Sequence, residues 1–468
     1  MRSTRLFLVA ALVLGMGTAA YAELQNVSVS GSLRIRGNWF EGDGNNEVKF
    51  GTLGNYASDS DKAYVEQRVR LGVRADFTED VSAFIELDSY FNWGEDFRSQ
   101  DYITGTDGRA SVEGSDAEVE VYQAYVEARD MWGSPLHLRV GRQEISLGSE
   151  WLVGVNDTSS GFMGLSFDAV MLSLVTDPIT VHAFGAKLVE GGGDPLEDDL
   201  DLYGIYASVT AVDDMVFDAY GFYLVDGGQS ATASPFIQSR CGSVLDAIHR
   251  GIFGTTVAED ADIFTVGLRT AGDVAGFDWE AEVAYQFGNV DLSRGGDLDY
   301  DSLGANVELG YTIDVVTQPR PFLGFAYFGG GDSDTMPFNR LFSNWEYSEF
   351  LENTDLSNVW IGRGGFGLSP IEEIDLSAVG TCFVADKGVG DHEMTAWELG
   401  IYAAYNYSED LVFRVGYAHL WAMDGAGDKK LGWPGSDGDR ITNNGTQPFG
   451  SWWDDHMDYA YVETEISF

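Results

Sequence analysis

Apolar and polar residues alternate along most of this chain, most clearly between Glu118 and Val175. In a first run, Tyr122, Ala124, Val126 and Ala128 alternate with Gln123, Tyr125 and Glu127. In a second, Leu136, Leu138 and Val140 alternate with His137, Arg139 and Gly141. A third covers Ser166 to Val175 and stops at the turn Thr176-Asp177-Pro178. A period of two is the mark of a strand with one apolar face. Within the second run the apolar parity moves from Val140 to Ile145 and Leu147. One extra residue at Gly141 would swap the faces, so a β-bulge is expected there, with Arg142 and Glu144 joining Arg139 on the polar side.

The same rhythm recurs from Val27 to the end of the chain. Val27, Val29, Leu33, Ile35 and Trp39 stand opposite Ser28, Ser30, Ser32, Arg34, Arg36 and Asn38. Next, Val65, Val69, Leu71, Val73 and Phe77 stand opposite Glu66, Arg68, Arg70, Arg74 and Asp76, and a third strand begins at Val81. Further runs lie near 179–188, 201–210, 215–225, 262–270, 277–287, 301–312, 321–328, 358–368, 374–385, 394–406, 411–423 and 457–468. That makes about 18 strands, each close to the ~9–11 residues that a tilted membrane strand needs.

The connections alternate in length. Short turns fall at 78–80, 130–135, 176–178, 211–214, 272–276, 313–320, 369–373 and 408–410. Longer Gly- and Asp-rich stretches fall at 41–61, 93–117, 148–164, 189–200, 226–261, 288–300, 329–357, 386–393 and 424–456. Dyad strands joined in this way predict an all-β, transmembrane, antiparallel up-and-down β-barrel with short periplasmic turns and long extracellular loops. Ala460, Val462, Thr464, Ile466 and the terminal Phe468 form the outward face of the last strand. Aromatic residues near strand ends, among them Trp39, Trp93, Tyr223, Tyr285, Phe287, Trp397, Tyr405 and Trp421, suit interfacial girdles.

Residues 1–22 change the picture at the N-terminus. Arg2 and Arg5 precede an apolar Leu6 to Leu14 and the small-x-small site Ala20-Tyr21-Ala22, which predicts a cleaved signal peptide, Sec-type export and a single barrel domain over 23–468. The apolar run is too short to cross a bilayer as a helix. The first strand then follows so closely that no N-terminal plug or periplasmic repeat is expected. Loss of the two arginines takes the net charge from −48 to −50, which argues against nucleic-acid binding. Cys241 and Cys382 allow one disulfide or two free thiols.

No hydrolase elbow, zincin helix or paired Cys-x-x-Cys is present, and the six histidines show no ligand spacing, so no catalytic or metal residues are assigned. No cofactor is expected, except that the acidic stretches Asp297-Leu298-Asp299-Tyr300-Asp301 and Glu197-Asp198-Asp199 could hold Ca²⁺ without the full spacing of a calcium loop.

Several segments resemble the alginate-export family of outer-membrane porins. They are Gln123-Ala124-Tyr125-Val126-Glu127, Leu138-Arg139-Val140-Gly141-Arg142-Gln143-Glu144, Ser166-Phe167-Asp168-Ala169-Val170 and Phe338-Asn339-Arg340-Leu341-Phe342, with Asn353 to Asn358 leading into a strand. The resemblance implies an 18-stranded barrel passing an anionic polysaccharide through an arginine-lined pore.

Sorting inward positions gives a basic wall of Arg34, Arg36, Arg68, Arg70, Arg74, Arg139 and Arg142, with Glu66 and Glu144 beside it. An acidic wall of Asp278, Glu280, Glu282, Glu308, Glu398, Glu463 and Glu465 lies on later strands. Such walls either set a transverse field that selects by charge or pair across the lumen and hold its shape.

The expected function is a passive outer-membrane channel for an anionic polysaccharide or small charged solutes, narrowed by infolded loops such as 226–261. The alternatives are a general cation-preferring porin and a structural barrel around a periplasmic or electron-transfer partner. A lipid-acting barrel enzyme would need a Ser-His pair at the rim, and none is evident. Expected partners are outer-membrane lipid and the barrel-assembly machinery.

Overall fold

The computed structural model describes residues 24–42, 62–94, 119–157, 162, 164–190, 199–227, 258–292, 296–331, 335–351, 356–386, 395–422 and 456–468. The expected signal segment, Cys241 and most of the 226–261 loop lie outside them.

Strands β1 (Asn26–Gly42), β2 (Lys62–Asp76), β3 (Val81–Asn92), β4 (Val119–Ala128) and β5 (Leu136–Gln143) open the wall. β6 (Phe167–Val175), β7 (Ile179–Val189), β8 (Leu200–Val209), β9 (Met215–Asp226), β10 (Ala258–Val274), β11 (Phe277–Leu292), β12 (Asp297–Tyr311) and β13 (Arg320–Phe328) continue it. A two-residue β14 (Thr335–Met336) follows, and β15 (Val359–Ile371), β16 (Ile374–Ala385), β17 (Thr395–Asn406), β18 (Leu411–Ala422) and β19 (His456–Ser467) complete it. Each long strand pairs antiparallel with its neighbours, and β1 pairs with both β2 and β19. Leaving aside β14, which adds in parallel to the free end of β12, eighteen strands close a barrel. Closure removes the unpaired backbone edges that hydrocarbon would not tolerate.

Alternation places the apolar set outside. Val29, Leu71, Ile85, Val170, Leu172, Ile205, Leu268, Leu323 and Ile401 are exposed on the barrel exterior. Tyr203, Tyr223, Phe264 and Phe287 sit in register on four successive strands. Their rings stack with centroids 6.2, 4.4 and 5.3 Å apart, an aromatic girdle segment of the kind that sits at a membrane interface. The terminal strand is held by reciprocal backbone bonds between Phe468 and Gly31, 2.9 and 3.0 Å long.

Inside, the barrel contains a hydrophobic core. Trp151, Leu152 and Val153 from the β5–β6 connection meet Phe338, Leu341 and Phe342 from the β13–β15 connection. Val153 bridges Phe342 in parallel fashion, and Trp151 Nε1 donates to Tyr347 Oη at 2.9 Å. These segments pack against inward side chains that include Phe167, Phe184, Leu202, Phe222, Ile263, Phe328, Ile361 and Phe383. Gln286 on β11 and Asn339 lock the second segment to the wall by exchanging two 2.7 Å hydrogen bonds.

This interior core corrects the expected bulge. β5 pairs with β4 and β6 without a register shift and ends at Gln143. Ile145 and Leu147 share the parity of Arg139 and Gly141 and are buried because the chain leaves the wall and turns inward. Arg142 therefore points outward, with its guanidinium on Asp168 at 2.8 and 2.9 Å. Gly141 is required for a different reason: it has φ 129°, and a Cβ there would collide with the Ala124 carbonyl. The described infolded segments come from 144–157 and from 335–351, and the expected infolding of 226–261 falls on residues outside those described.

Candidate functional site

The apolar infolding covers mainly the inner faces of β6–β16. The charged lining is concentrated on the arc β19–β1–β2–β3–β4–β5, where alternation aims Arg34, Arg36, Arg68 and Arg70 inward and leaves each less than a tenth exposed. Arg34 and Arg68 face each other directly across the β1–β2 ladder. Like charges so placed repel, and carboxylates settle them.

Asp157, on the infolded β5–β6 segment, accepts from Arg68 Nη1 at 2.6 Å, Arg70 Nη1 at 2.9 Å and Arg34 Nη1 at 3.4 Å. Glu463 on β19 accepts from Arg34 Nε at 2.8 Å, Arg36 Nε at 2.7 Å and Arg414 Nη1 at 2.8 Å. Arg70 Nε donates to Asp88 at 2.8 Å. Aromatic faces add to these carboxylates: Arg34 lies 4.5 Å from the Phe162 ring centroid, and Arg70 lies 3.9 Å from that of Tyr122.

Toward the periplasmic end the arrangement repeats. Glu127 on β4 accepts from Arg129 at 2.6 Å, Arg139 at 2.8 Å and Arg74 at 3.2 Å. Arg139 also lies 4.7 Å from the Tyr125 ring centroid. The four residues separating Arg70 from Arg74 put the two clusters about 13 Å apart along the strand. Glu66 also faces inward, where Asn38 Nδ2 and Tyr90 Oη donate to it at 2.7 and 3.1 Å. Glu144 lies just past β5, accepts from Tyr122 Oη at 2.7 Å, and is raised above its ordinary carboxyl range by burial.

The later acids do not form a bare opposing wall. Arg269 on β10 is held by Asp218 at 2.6 Å and by Glu280 at 2.6 and 2.8 Å. Glu282 accepts from Tyr220 Oη at 2.6 Å and Ser149 Oγ at 3.2 Å. Asp278 and Glu308 hold Arg320. Glu463 and Glu465 abut the arginines because closure brings β19 beside β1.

The second infolded segment is clasped to β17. Ser348 Oγ donates to Glu398, the Glu349 amide donates to the same carboxylate at 2.9 Å, and Glu346, Tyr402, Tyr461 and Arg363 line the adjoining cavity of about 330 Å³. Burial and the nearby Glu346 and Glu398 push the Glu349 carboxyl up to about 8.

Of the eleven side chains expected to line the pore, ten lie within the barrel and Arg142 lies outside it. Asp157, Glu127, Arg129, Tyr122 and Phe162 were not among the expected lining residues. Only Glu127 carried an inward strand-parity signal, whereas Tyr122 shares the parity of the outward Val126 and is turned inward by the register shift in β4 opposite Glu86 and Leu87. The acidic stretch at 297–301 belongs to β12, with Leu298 and Tyr300 buried between exposed Asp297, Asp299 and Asp301. Asp199 is bonded by Lys187 at 2.5 Å. Cys382 is half-buried on β16, and the question of a Cys241 disulfide falls outside the described residues.

A closed eighteen-stranded wall, apolar outside and lined with charge inside, defines an outer-membrane porin-type channel. Solved structures share this fold. Pseudomonas aeruginosa OpdL aligns with a TM-score of 0.55 at 10% identity, covering 95% of this chain and 99% of that one. P. aeruginosa OccK8 (OprE) aligns at 0.54 with 11% identity, covering 95% and 98%. Acinetobacter baumannii OccAB3 aligns at 0.53 with 10% identity, covering 94% and 100%. No curated protein sequence matches the chain. A family model described as "Alginate export" matches residues 28–391, and the chain belongs to that family.

Proposed function

We propose that this channel conducts a carboxylate-bearing polysaccharide along the arginine arc of β19 and β1–β5. The observation that carries the reading is the convergence of Arg34, Arg68 and Arg70 on the single carboxylate of Asp157. Guanidinium groups match carboxylates in charge and in planar geometry. A second cluster of Arg74, Arg129 and Arg139 around Glu127 gives a polymer two stations in series. Phe162 and Tyr122 offer flat faces beside the first. Membership of the alginate-export family supports the same substrate class.

The mechanism is diffusive. At the first station a polymer carboxylate exchanges with the loop-borne Asp157. At the second the wall-borne Glu127 stays in place and the polymer adds to the surrounding guanidinium groups, so no charge is stranded during passage. The net charge of −48 favours a second reading, a cation-preferring porin for small solutes. Single-channel recording in planar bilayers separates the two. Oligo-uronates should interrupt the current at concentrations where neutral oligosaccharides of equal length do not. Equal block by both, with cation selectivity, would establish the second reading.

A further inference from the structure

The carboxylates that neutralise the arginine arc are of two kinds. Glu463, Asp88 and Glu127 belong to strands and cannot leave without distorting the wall. Asp157 belongs to the infolded β5–β6 segment, and its side chain is 22% exposed. Among the described residues it is the one carboxylate bonded to Arg68, itself only 3% exposed. The Arg68 Nε is buried without an acceptor, although a guanidinium edge can hold a carboxylate through two parallel bonds. Arg68 thus carries a loop-borne counterion and a spare donor. Upstream, Trp151, Leu152 and Val153 are fixed in the interior core, so Asp157 is tethered while remaining separate from the wall.

We infer that Asp157 is a specificity-determining residue: an exchangeable internal carboxylate that an incoming polymer displaces from Arg34, Arg68 and Arg70, and that keeps small monovalent anions out. The inference rests on the proposed polyuronate reading and adds the rule of selection. A carboxylate on a short tether competes at an effective concentration of order millimolar. A free monocarboxylate or chloride meets that competitor alone. A polymer that already contacts the Glu127 cluster presents its next carboxylate as a tethered group too, and competes on equal terms. The exchange conserves charge, with one carboxylate leaving as another arrives.

The test compares wild type with Asp157→Asn, Asp157→Ser and Asp157→Glu in planar bilayers, after a heat-modifiability gel has shown an assembled barrel. Monomeric galacturonate and its hexamer serve as probes, and reversal potential is read under a potassium chloride gradient. In wild type the hexamer should block at far lower concentration than the monomer. In D157N and D157S the half-blocking monomer concentration should fall by about tenfold and chloride permeability should rise relative to potassium. D157E should behave as wild type. Assembled D157N with unchanged monomer block and unchanged reversal potential would overturn the inference. So would failure of both D157N and D157S to assemble, since Asp157 would then be an obligatory structural counterion. If the hexamer fails to block wild type, the polyuronate reading falls, while the chloride reversal potentials of the variants still decide the role of Asp157.

Discussion

Two arginine sites in the same wall are built on opposite rules. On β10, Arg269 faces Asp218 directly across the ladder and takes Glu280 from the other neighbouring strand. Tyr206 adds a 2.8 Å bond to Asp218, and every partner is part of the barrel. On β1 and β2, Arg34 faces Arg68; Glu463 on β19 holds Arg34, but the one carboxylate bonded to Arg68 among the described residues, Asp157, arrives from an infolded loop. The first arrangement closes on itself and leaves nothing for a ligand. The second takes a carboxylate from outside the wall, and on the proposed reading that carboxylate is open to exchange. On that reading, charge in this lumen is structural where opposite signs meet across adjacent strands, and available for transport where like signs do.

The largest effect expected from this contrast is on assembly. Arg269→Ala strands Asp218, whose side chain is 1% exposed, together with Glu280. Removing one partner of a buried pair costs about 3–5 kcal/mol. A lower urea midpoint for loss of the heat-resistant band should follow, whereas Arg68→Ala, which leaves the loop-borne Asp157 still bonded to Arg70 and Arg34, should move that midpoint much less. Equal losses in the two variants would erase the distinction.

A smaller effect concerns the clasp between the second infolded segment and β17. The Glu349 carboxyl is raised to about 8 by burial and by Glu346 and Glu398, with Arg36 opposing and Tyr402 bonded to it. A raised carboxyl contributes its stability in full below its ordinary pKa and loses it as pH rises through the shifted one. Current fluctuations should therefore grow from pH 6 to pH 9, by several-fold at most. Glu349→Gln should remove the part of that rise that belongs to Glu349. An identical pH profile in the variant would show that the clasp does not titrate there.

The smallest effect is assigned to the outward pair. Arg142 and Asp168 are 45% and 53% exposed at the side chain, and exposed pairs contribute about 1 kcal/mol or less. Arg142→Ala combined with Asp168→Ala should leave reversal potential and hexamer block at wild-type values. A shift toward cations would put Arg142 back in the conduction path.

Strand alternation was legible because lipid and water impose a two-residue period on every spanning segment. The same logic misled at Ile145 and Leu147. Their apolar character reads as lipid-facing, yet they hold the inward parity and fill a core enclosed by the barrel. An inward-facing apolar residue and an outward-facing one look alike in sequence when the lumen itself contains packed chain. Arg142 was misplaced as a direct consequence.

The arginines of β1 and β2 could be sorted from parity alone, but their partners could not. Glu463 and Arg34 are 429 positions apart and meet only through closure. Asp157 sits between Asn156 and Thr158 with no periodic neighbour, so its place among three guanidinium groups depends on the path of an irregular segment. The Phe338 to Phe342 stretch was recognisable as family-like, while its work, exchanging amide bonds with Gln286 and packing on Val153, is visible only in three dimensions.

Block of single-channel current by oligo-uronates, measured on wild type and on Arg68→Ala/Arg70→Ala, bears most directly on the claim that the arginine arc is the path. The hexamer should interrupt wild-type currents, and its half-blocking concentration should rise by about a hundredfold in the double variant, about tenfold for each guanidinium removed. Reversal potential should shift toward potassium at the same time. Undiminished hexamer block in a correctly assembled double variant would contradict the account, because the polymer would then be passing elsewhere.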